Sequence, residues 1–136
     1  MKIRLLIVDD EDDIRQMLDR HFRYIGYETD TACNGREALE KLSEDKFDIV
    51  ISDIKMPEMD GIELLRGIRD QHPMVRTIMV TGYVTLENAL SCMRLGAETC
   101  IFKPLEDLEE LVNAVKRSVD YIKHWQDKFV KLQAMR

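Results

Sequence analysis

The 136-residue sequence predicts an α/β fold: a five-stranded, parallel, doubly wound sheet with an extended C-terminal helix. Three observations carry this. Short apolar runs alternate with helical stripes along the chain, and such alternation builds right-handed βαβ units. Two of the runs, Leu5–Val8 and Ile49–Ile51, are apolar at every position, as a central parallel strand covered on both faces requires. The breaks between segments carry Gly, Pro or Asn-Gly, the residues that punctuate chains.

Each element has its own signal. Arg4–Val8 reads as the first strand, followed by a helical stripe of Ile14, Met17, Leu18, Phe22 and Ile25. Gly26 precedes a second strand over Glu28–Ala32, and Asn34-Gly35 opens a stripe of Ala38, Leu39 and Leu42. A third strand over Asp48–Ser52 leads to Ile62, Leu65 and Ile68 at helical spacing. Pro73 separates that helix from a fourth strand over Thr77–Val80. Leu86, Ala89, Leu90 and Met93 mark the fourth helix, and Gly96 stands where a left-handed cap is expected. Thr99–Phe102 is the fifth strand, and Leu108, Leu111, Val112, Val115 and Val119 mark the fifth helix.

After Val119 the helical pattern continues. Ile122, Trp125, Phe129 and Leu132 keep an a/d-like spacing with no Gly or Pro to stop it. Residues 1–120 therefore read as one domain, and residues 121–136 as a helical extension of roughly four turns. The extension either folds back on its own domain or serves as a connector or dimerisation helix, and the second reading is favoured.

Composition narrows the class. The chain is 45% hydrophobic and 34% charged, with a length that suits one core. A net charge of -6 argues against a surface devoted to nucleic acid. The start, Met-Lys-Ile-Arg, runs into a strand and carries no signal-peptide pattern, and no apolar stretch approaches a membrane span. Cys33, Cys92 and Cys100 lack a metal or redox spacing and read as reduced thiols, which points to the cytoplasm. His21, His72 and His124 form no ligand pattern.

The chemistry gathers at strand ends. In such a sheet, ligands bind beyond the carboxyl ends of the strands, at the switch point between strands 1 and 3. Asp9-Asp10 end strand 1 and Asp53 ends strand 3, ahead of the loop Lys55-Met56-Pro57-Glu58-Met59-Asp60-Gly61. Carboxylates so placed repel by roughly 4 kcal/mol per close pair, and a divalent cation relieves that repulsion. Oxygen ligands with room for water and phosphate favour Mg²⁺, with Mn²⁺ an acceptable substitute. Asp53 can then attack phosphorus as a carboxylate nucleophile. Lys103 ends strand 5 and offers a point charge to a phosphoryl oxygen; Thr81 ends strand 4 and offers a hydroxyl. Gly82 leaves space beside it. An acidic pair after a strand is otherwise a helix N-cap, and each other piece alone is common.

Ile7-Val8-Asp9-Asp10, Asp53 with Met56-Pro57 and Asp60-Gly61, Val80-Thr81-Gly82 and Phe102-Lys103-Pro104 together resemble the receiver domain of response regulators, over about residues 3–120. The resemblance implies a flavodoxin-like strand order 2-1-3-4-5. It implies that Asp53 is phosphorylated by a histidine kinase or phosphotransfer protein of a two-component system. Mg²⁺ would be held by Asp10, Asp53 and the backbone carbonyl of Lys55, with Asp9 acting through water. Thr81 and Lys103 would hold the phosphoryl group, and the Lys103–Pro104 bond would be cis. Such a chain is a signalling phosphoacceptor that assists its own phosphorylation and dephosphorylation, not an enzyme. Its partners would be the kinase or phosphotransfer protein, an output domain or effector, and a second copy through the fourth and fifth helices or the C-terminal helix. The partner face would include Leu86, Leu90, Cys100 and Leu108.

One position departs from the pattern. Receivers usually carry Tyr or Phe three residues before the lysine, as a rotamer switch coupled to the threonine; here it is Cys100. Cys100 otherwise reads as a smaller side chain on an exposed strand. Lys55 and Tyr83 are expected to lie over the site and slow the attack of water. Two rival readings fit less well. Haloacid-dehalogenase-like phosphatases need an acid two residues after the nucleophile, where this chain has Lys55. A non-phosphorylated interaction module would normally lack one of the acid pair, Asp53 or Lys103.

Overall fold

The computed structural model describes residues 2–82 and 85–135. Five strands alternate with five helices: β1 Arg4–Val8, α1 Asp12–Tyr24, β2 Glu28–Ala32, α2 Gly35–Glu44, β3 Ile49–Ser52, α3 Gly61–Gln71, β4 Arg76–Thr81, α4 Leu86–Arg94, β5 Cys100–Phe102 and α5 Glu109–Ala134. All strand pairs are parallel, in the order β2-β1-β3-β4-β5. The predicted bounds hold for β1 and β2. β3 begins one residue late, at Ile49; Asp48 just before it still donates its N–H to the Arg4 carbonyl at 2.9 Å, and its carboxylate accepts the Arg4 N–H at 2.9 Å. β4 is longer at both ends, and β5 starts at Cys100, one residue after the expected Thr99.

Alternation along the strands sorts the core into two main layers. Leu5, Ile7, Ile49, Ile51, Ile78 and Val80 face one side, where Leu18 and Phe22 of α1 and Leu111, Ala114 and Val115 of α5 cover them. Leu6, Val8 and Val50 face the other, against Ala38 and Leu42 of α2 and Leu64 and Ile68 of α3. A smaller cluster of Ile54, Leu65, Met79 and Cys92 lies beneath α4. Local chemistry sets the helix ends. Asn34 caps α2 by accepting the Glu37 N–H, and Asp60 and Glu63 form a reciprocal capping box at α3. Gly96 has φ +81, the left-handed turn expected after α4.

α5 crosses residue 120 without a break and runs for 26 residues. Its first half is docked by Leu111, Ala114, Val115, Ser118 and Val119. Arg76 then ties it to β4: its guanidinium lies 4.1 Å over the Tyr121 ring and bonds Glu98 at 2.9 Å, and Glu98 also takes Arg117 at 3.0 Å. From Lys123 on, nearly every side chain is exposed. Trp125 and Phe129, with Tyr121, instead wall an open groove of about 500 Å³ whose other side is Phe47, Pro73 and Met74. Removing residues 124–136 is expected to leave the domain folded, at a cost of about 1 kcal/mol, because those residues bury little. Urea denaturation of the shortened chain checks this; loss of the cooperative transition would mean that the distal helix belongs to the core.

Among the described residues, no helix is long and apolar enough to cross a membrane.

Candidate functional site

Sheet register brings the strand-terminal groups together. Val8 pairs with Ser52, so Asp9 and Asp53 emerge side by side one residue later. Ser52 pairs with Met79 and Thr81 with Phe102, so Thr81 and Lys103 follow on the same edge. The Lys103 N–H donates to the Thr81 carbonyl at 2.8 Å, which extends the ladder to the site itself.

Asp9, Asp10 and Asp53 each place a carboxylate oxygen within 4.8 Å of the others. Asp9 and Asp53 are buried, whereas Asp10 is exposed. The acidic pair does not cap α1: the residue at that cap is Glu11, without a side-chain cap bond, and Asp9 Oδ1 accepts its N–H at 2.9 Å. Lys103 Nζ donates to Asp53 Oδ2 at 3.0 Å and to Asp9 Oδ2 and Glu11 Oε1 at 3.1 Å each. The other Asp53 oxygen, Oδ1, accepts the Ile54 N–H at 2.7 Å. Lys103 thus bridges the carboxylates of Asp9, Glu11 and Asp53, and Asp10 stands beside two of them. This oxygen-only, net-negative donor set fits a hard divalent cation.

The loop after Asp53 is shaped by close backbone contact. Gly61 donates its N–H to the Ile54 carbonyl at 2.7 Å, and a Cβ built at Gly61 would sit 2.0 Å from the Asp53 carbonyl oxygen. Ile54 and Met56 anchor the loop inward, and Ser52 Oγ donates to the Asp53 carbonyl at 2.8 Å. Glu58 takes φ 66 at the loop's outer turn. The Lys103–Pro104 peptide is cis, as expected.

The remaining predicted positions are distributed as follows. Thr81 is buried at the end of β4, and the Lys55 side chain is exposed on the loop. Tyr83 lies outside the described residues. A Cβ at Gly82 would meet the Lys103 stem at 3.6 Å, an ordinary contact, so packing alone does not demand glycine there. Cys100 corrects an expectation: it is half-buried and packs against the cluster beneath α4, because its side of β5 faces that helix. One residue and one contact lie beyond what the sequence alone shows. Glu11 completes the Lys103 cage, and its signal was the acid immediately after the pair. Gly61 was noted, but its close approach to Asp53 was not.

Electrostatics separate the cage members. Burial pushes the Asp9 carboxyl above its usual range, against the opposing pull of the Glu11 N–H and Lys103. Burial alone would lower the Lys103 ammonium, but hydrogen bonding and attraction to Asp53, with Asp9 and Glu11 adding to it, raise it overall. A carboxylate raised in the folded state binds its proton more tightly there than when unfolded. Its contribution to stability is complete below the unfolded value, about 4, and is lost as pH rises through the folded value. An Asp9→Asn variant is therefore expected to be more stable than the parent at neutral pH. The gap should close as pH falls toward 4. Thermal midpoints from about pH 4 to 8 test this; an unchanged gap would point to packing instead of charge.

Comparison with known proteins decides the family. The family model described as response regulator receiver domain matches residues 5–116. The chain belongs to the response regulator receiver domain family. This receiver domain is 43% identical over 116 residues to the regulatory protein AtoC of Escherichia coli (strain K12), covering 85% of this chain and 25% of AtoC. It is 38% identical over 117 residues to sporulation initiation phosphotransferase F of Bacillus subtilis (strain 168), covering 86% of this chain and 94% of that protein. The receiver domain thus spans a quarter of the length of AtoC but nearly all of the sporulation protein. Among solved structures, it matches a CheY-like receiver domain protein from Methanospirillum hungatei JF-1 with a TM-score of 0.87 and 34% identity, covering 91% of this chain and 98% of the other. Response regulator TrrA from Thermotoga maritima, solved in complex with Mg²⁺-BeF, matches with a TM-score of 0.78 and 38% identity, covering 87% and 99%.

Proposed function

We propose that this receiver domain is the phosphoacceptor of a two-component phosphorelay, with Asp53 as the residue that takes the phosphoryl group. The observation that carries this is the Lys103 ammonium held 3.0 Å from Asp53 Oδ2 beside two further aspartates at the sheet's switch point. A histidine kinase or phosphotransfer protein is the donor. An Asp53 oxygen attacks phosphorus, the donor's P–N bond breaks, and the leaving imidazole takes a proton. Asp10, Asp53 and the Lys55 backbone carbonyl would hold Mg²⁺ or Mn²⁺, with Asp9 acting through water. When bound, the cation supplies charge neutralisation at the phosphoryl oxygens.

Thr81 and Lys103 then close on the new charge, and the conformer in which they do so gains population. The protein works as a cytoplasmic signalling switch, not as a turnover enzyme. A phosphatase of the haloacid dehalogenase type would place its acid/base where Lys55 stands. Output passes to an effector or output domain through α4, β5 and α5, where Leu86, Met93 and Phe102 are exposed. The distal half of α5 acts as connector or as a dimerisation helix with a second copy. The whole chain's net charge of -6 does not suit DNA contact by this chain. Lys55 and Tyr83 would slow hydrolysis of the acyl phosphate. Replacing both by small polar residues is expected to shorten its lifetime severalfold by phosphate-release kinetics, and an unchanged lifetime would remove them from that role.

The deciding experiment is intact mass after incubation with Mg²⁺ and a small-molecule phosphodonor, beside Asp53→Asn. One hydroxylamine-labile phosphoryl group, absent from the variant, is expected. Equal labelling of the variant would move the acceptor elsewhere.

A further inference from the structure

Two of the three thiols belong to one side-chain cluster. Cys92 sits on the inward face of α4, fully buried with Ile54, Leu65 and Met79, and half-buried Cys100 of β5 packs against the same cluster. Only seven residues separate them. The chain reverses through Gly96 at φ +81, and the Ala97 N–H donates to the Cys92 carbonyl at 3.0 Å. The two side chains thus share one small apolar cluster between α4 and β5. Interaction with Cys100, with burial, raises the Cys92 thiol, and interaction with Cys92 lowers Cys100 against the opposing effects of burial and Glu110. Cys33 is remote in role: exposed, and bonded to Glu37 at 3.1 Å.

We propose that Cys92 and Cys100 form a reversible dithiol–disulfide site that covalently ties α4 to β5. The co-reactant is a low-molecular-weight disulfide such as glutathione disulfide. The Cys100 thiolate, the more accessible of the two, attacks one sulfur of the oxidant, giving a mixed disulfide and releasing one thiol. Cys92 then loses its proton and attacks Cys100 Sγ, which releases the second thiol. The protein loses two electrons and two protons, and the oxidant is reduced to two thiols. A disulfide needs Cα atoms about 4.4–6.8 Å apart, and two thiols that enter one cluster from either side of a single chain reversal are placed to approach that spacing. The bond would fix α4 against the strand that leads to Lys103. Oxidation would therefore restrain any rearrangement of α4 on phosphorylation, a consequence that rests on the phosphoacceptor reading.

The test uses the full chain carrying Cys33→Ser, treated with glutathione disulfide. Loss of the mass of two hydrogen atoms is expected, with both thiols blocked to alkylation after unfolding and both restored by dithiothreitol. Cleavage after Arg94 should leave two peptides joined through Cys92 and Cys100. A persistent glutathione adduct on Cys100, or two thiols that remain alkylatable, would overturn the proposal. Cys92→Ala in the same background should stop at the Cys100 adduct. Amide hydrogen exchange in α4 after phosphodonor treatment should change in the reduced protein and much less in the oxidised one; equal change would overturn the restraint. Failure of phosphoryl uptake in both redox states would remove the phosphoacceptor reading while a mapped disulfide would stand.

Discussion

A Gly61→Ala variant is expected to lose about 3 kcal/mol of stability and most of its phosphoryl uptake. Helix propensity argues the opposite way, since Ala inside a helix is better than Gly by about 1 kcal/mol. Sterics win because of what the new Cβ would meet. It would lie 2.0 Å from the Asp53 carbonyl oxygen and 2.7 Å from the Ile54 Cα. Both neighbours are backbone, so no flexible side chain can swing away. Either α3 backs off and strains its capping box, or the loop shifts and takes the Asp53 carboxylate out of reach of Lys103. Gly67→Ala is the control on the same helix: its nearest neighbours are Leu39 side-chain atoms at 3.3 Å, which can yield. Urea denaturation and phosphoryl mass measured on both variants separate the effects. A Gly61→Ala protein within about 1 kcal/mol of the parent would show that the close approach is not rigid.

Lys103→Met should cost about 3 kcal/mol at neutral pH. The side chains of Asp9 and Asp53 are 3% and 5% exposed and share Lys103 as their common cation, so they would be left buried and mutually repelling. Glu11 matters far less, because at 59% exposure water already screens it. The loss should shrink as pH falls and the Asp9 carboxyl, raised by burial, takes up its proton, and on adding millimolar Mg²⁺ at neutral pH. A deficit that is equal at every pH would assign the effect to the lost packing of the lysine stem. Phosphoryl uptake and conformational response should part company in this variant. Asp53 keeps its nucleophilic oxygens, but the ammonium that would grip the product is gone.

How much of this was legible beforehand depends on the range of the interaction. The strand runs Leu5–Val8 and Ile49–Ile51 announced a sheet covered on both sides because their side chains report their own burial. Asp9, Asp10, Asp53, Thr81 and Lys103 were legible as a set because parallel topology sends every strand's carboxyl end to one edge. What could not be read were distances between side chains and backbone across elements. The approach of Gly61 to Asp53 depends on where α3 docks. Membership of Glu11 in the Lys103 cage depends on a rotamer. The entry of Cys92 and Cys100 into one cluster depends on which way β5 faces. The sequence could show that the helical pattern continued past Val119, but not that Tyr121, Trp125 and Phe129 would wall a groove with Phe47, Pro73 and Met74.

The unbroken α5 makes the molecule a lever. Its docked half is gripped by the sheet and, at Tyr121, by Arg76, while about 12 residues from Lys123 on form an arm of roughly 18 Å. A tilt of roughly 5° in the gripped half, which core packing would absorb as a shift of a few tenths of an ångström, moves the far end by roughly 2 Å. No hinge lies between to dissipate it, since the described helix contains neither Gly nor Pro from Glu109 to Ala134. Stiffness in this helix thus converts a change too small to disturb the core into one large enough to make or break a contact at its tip.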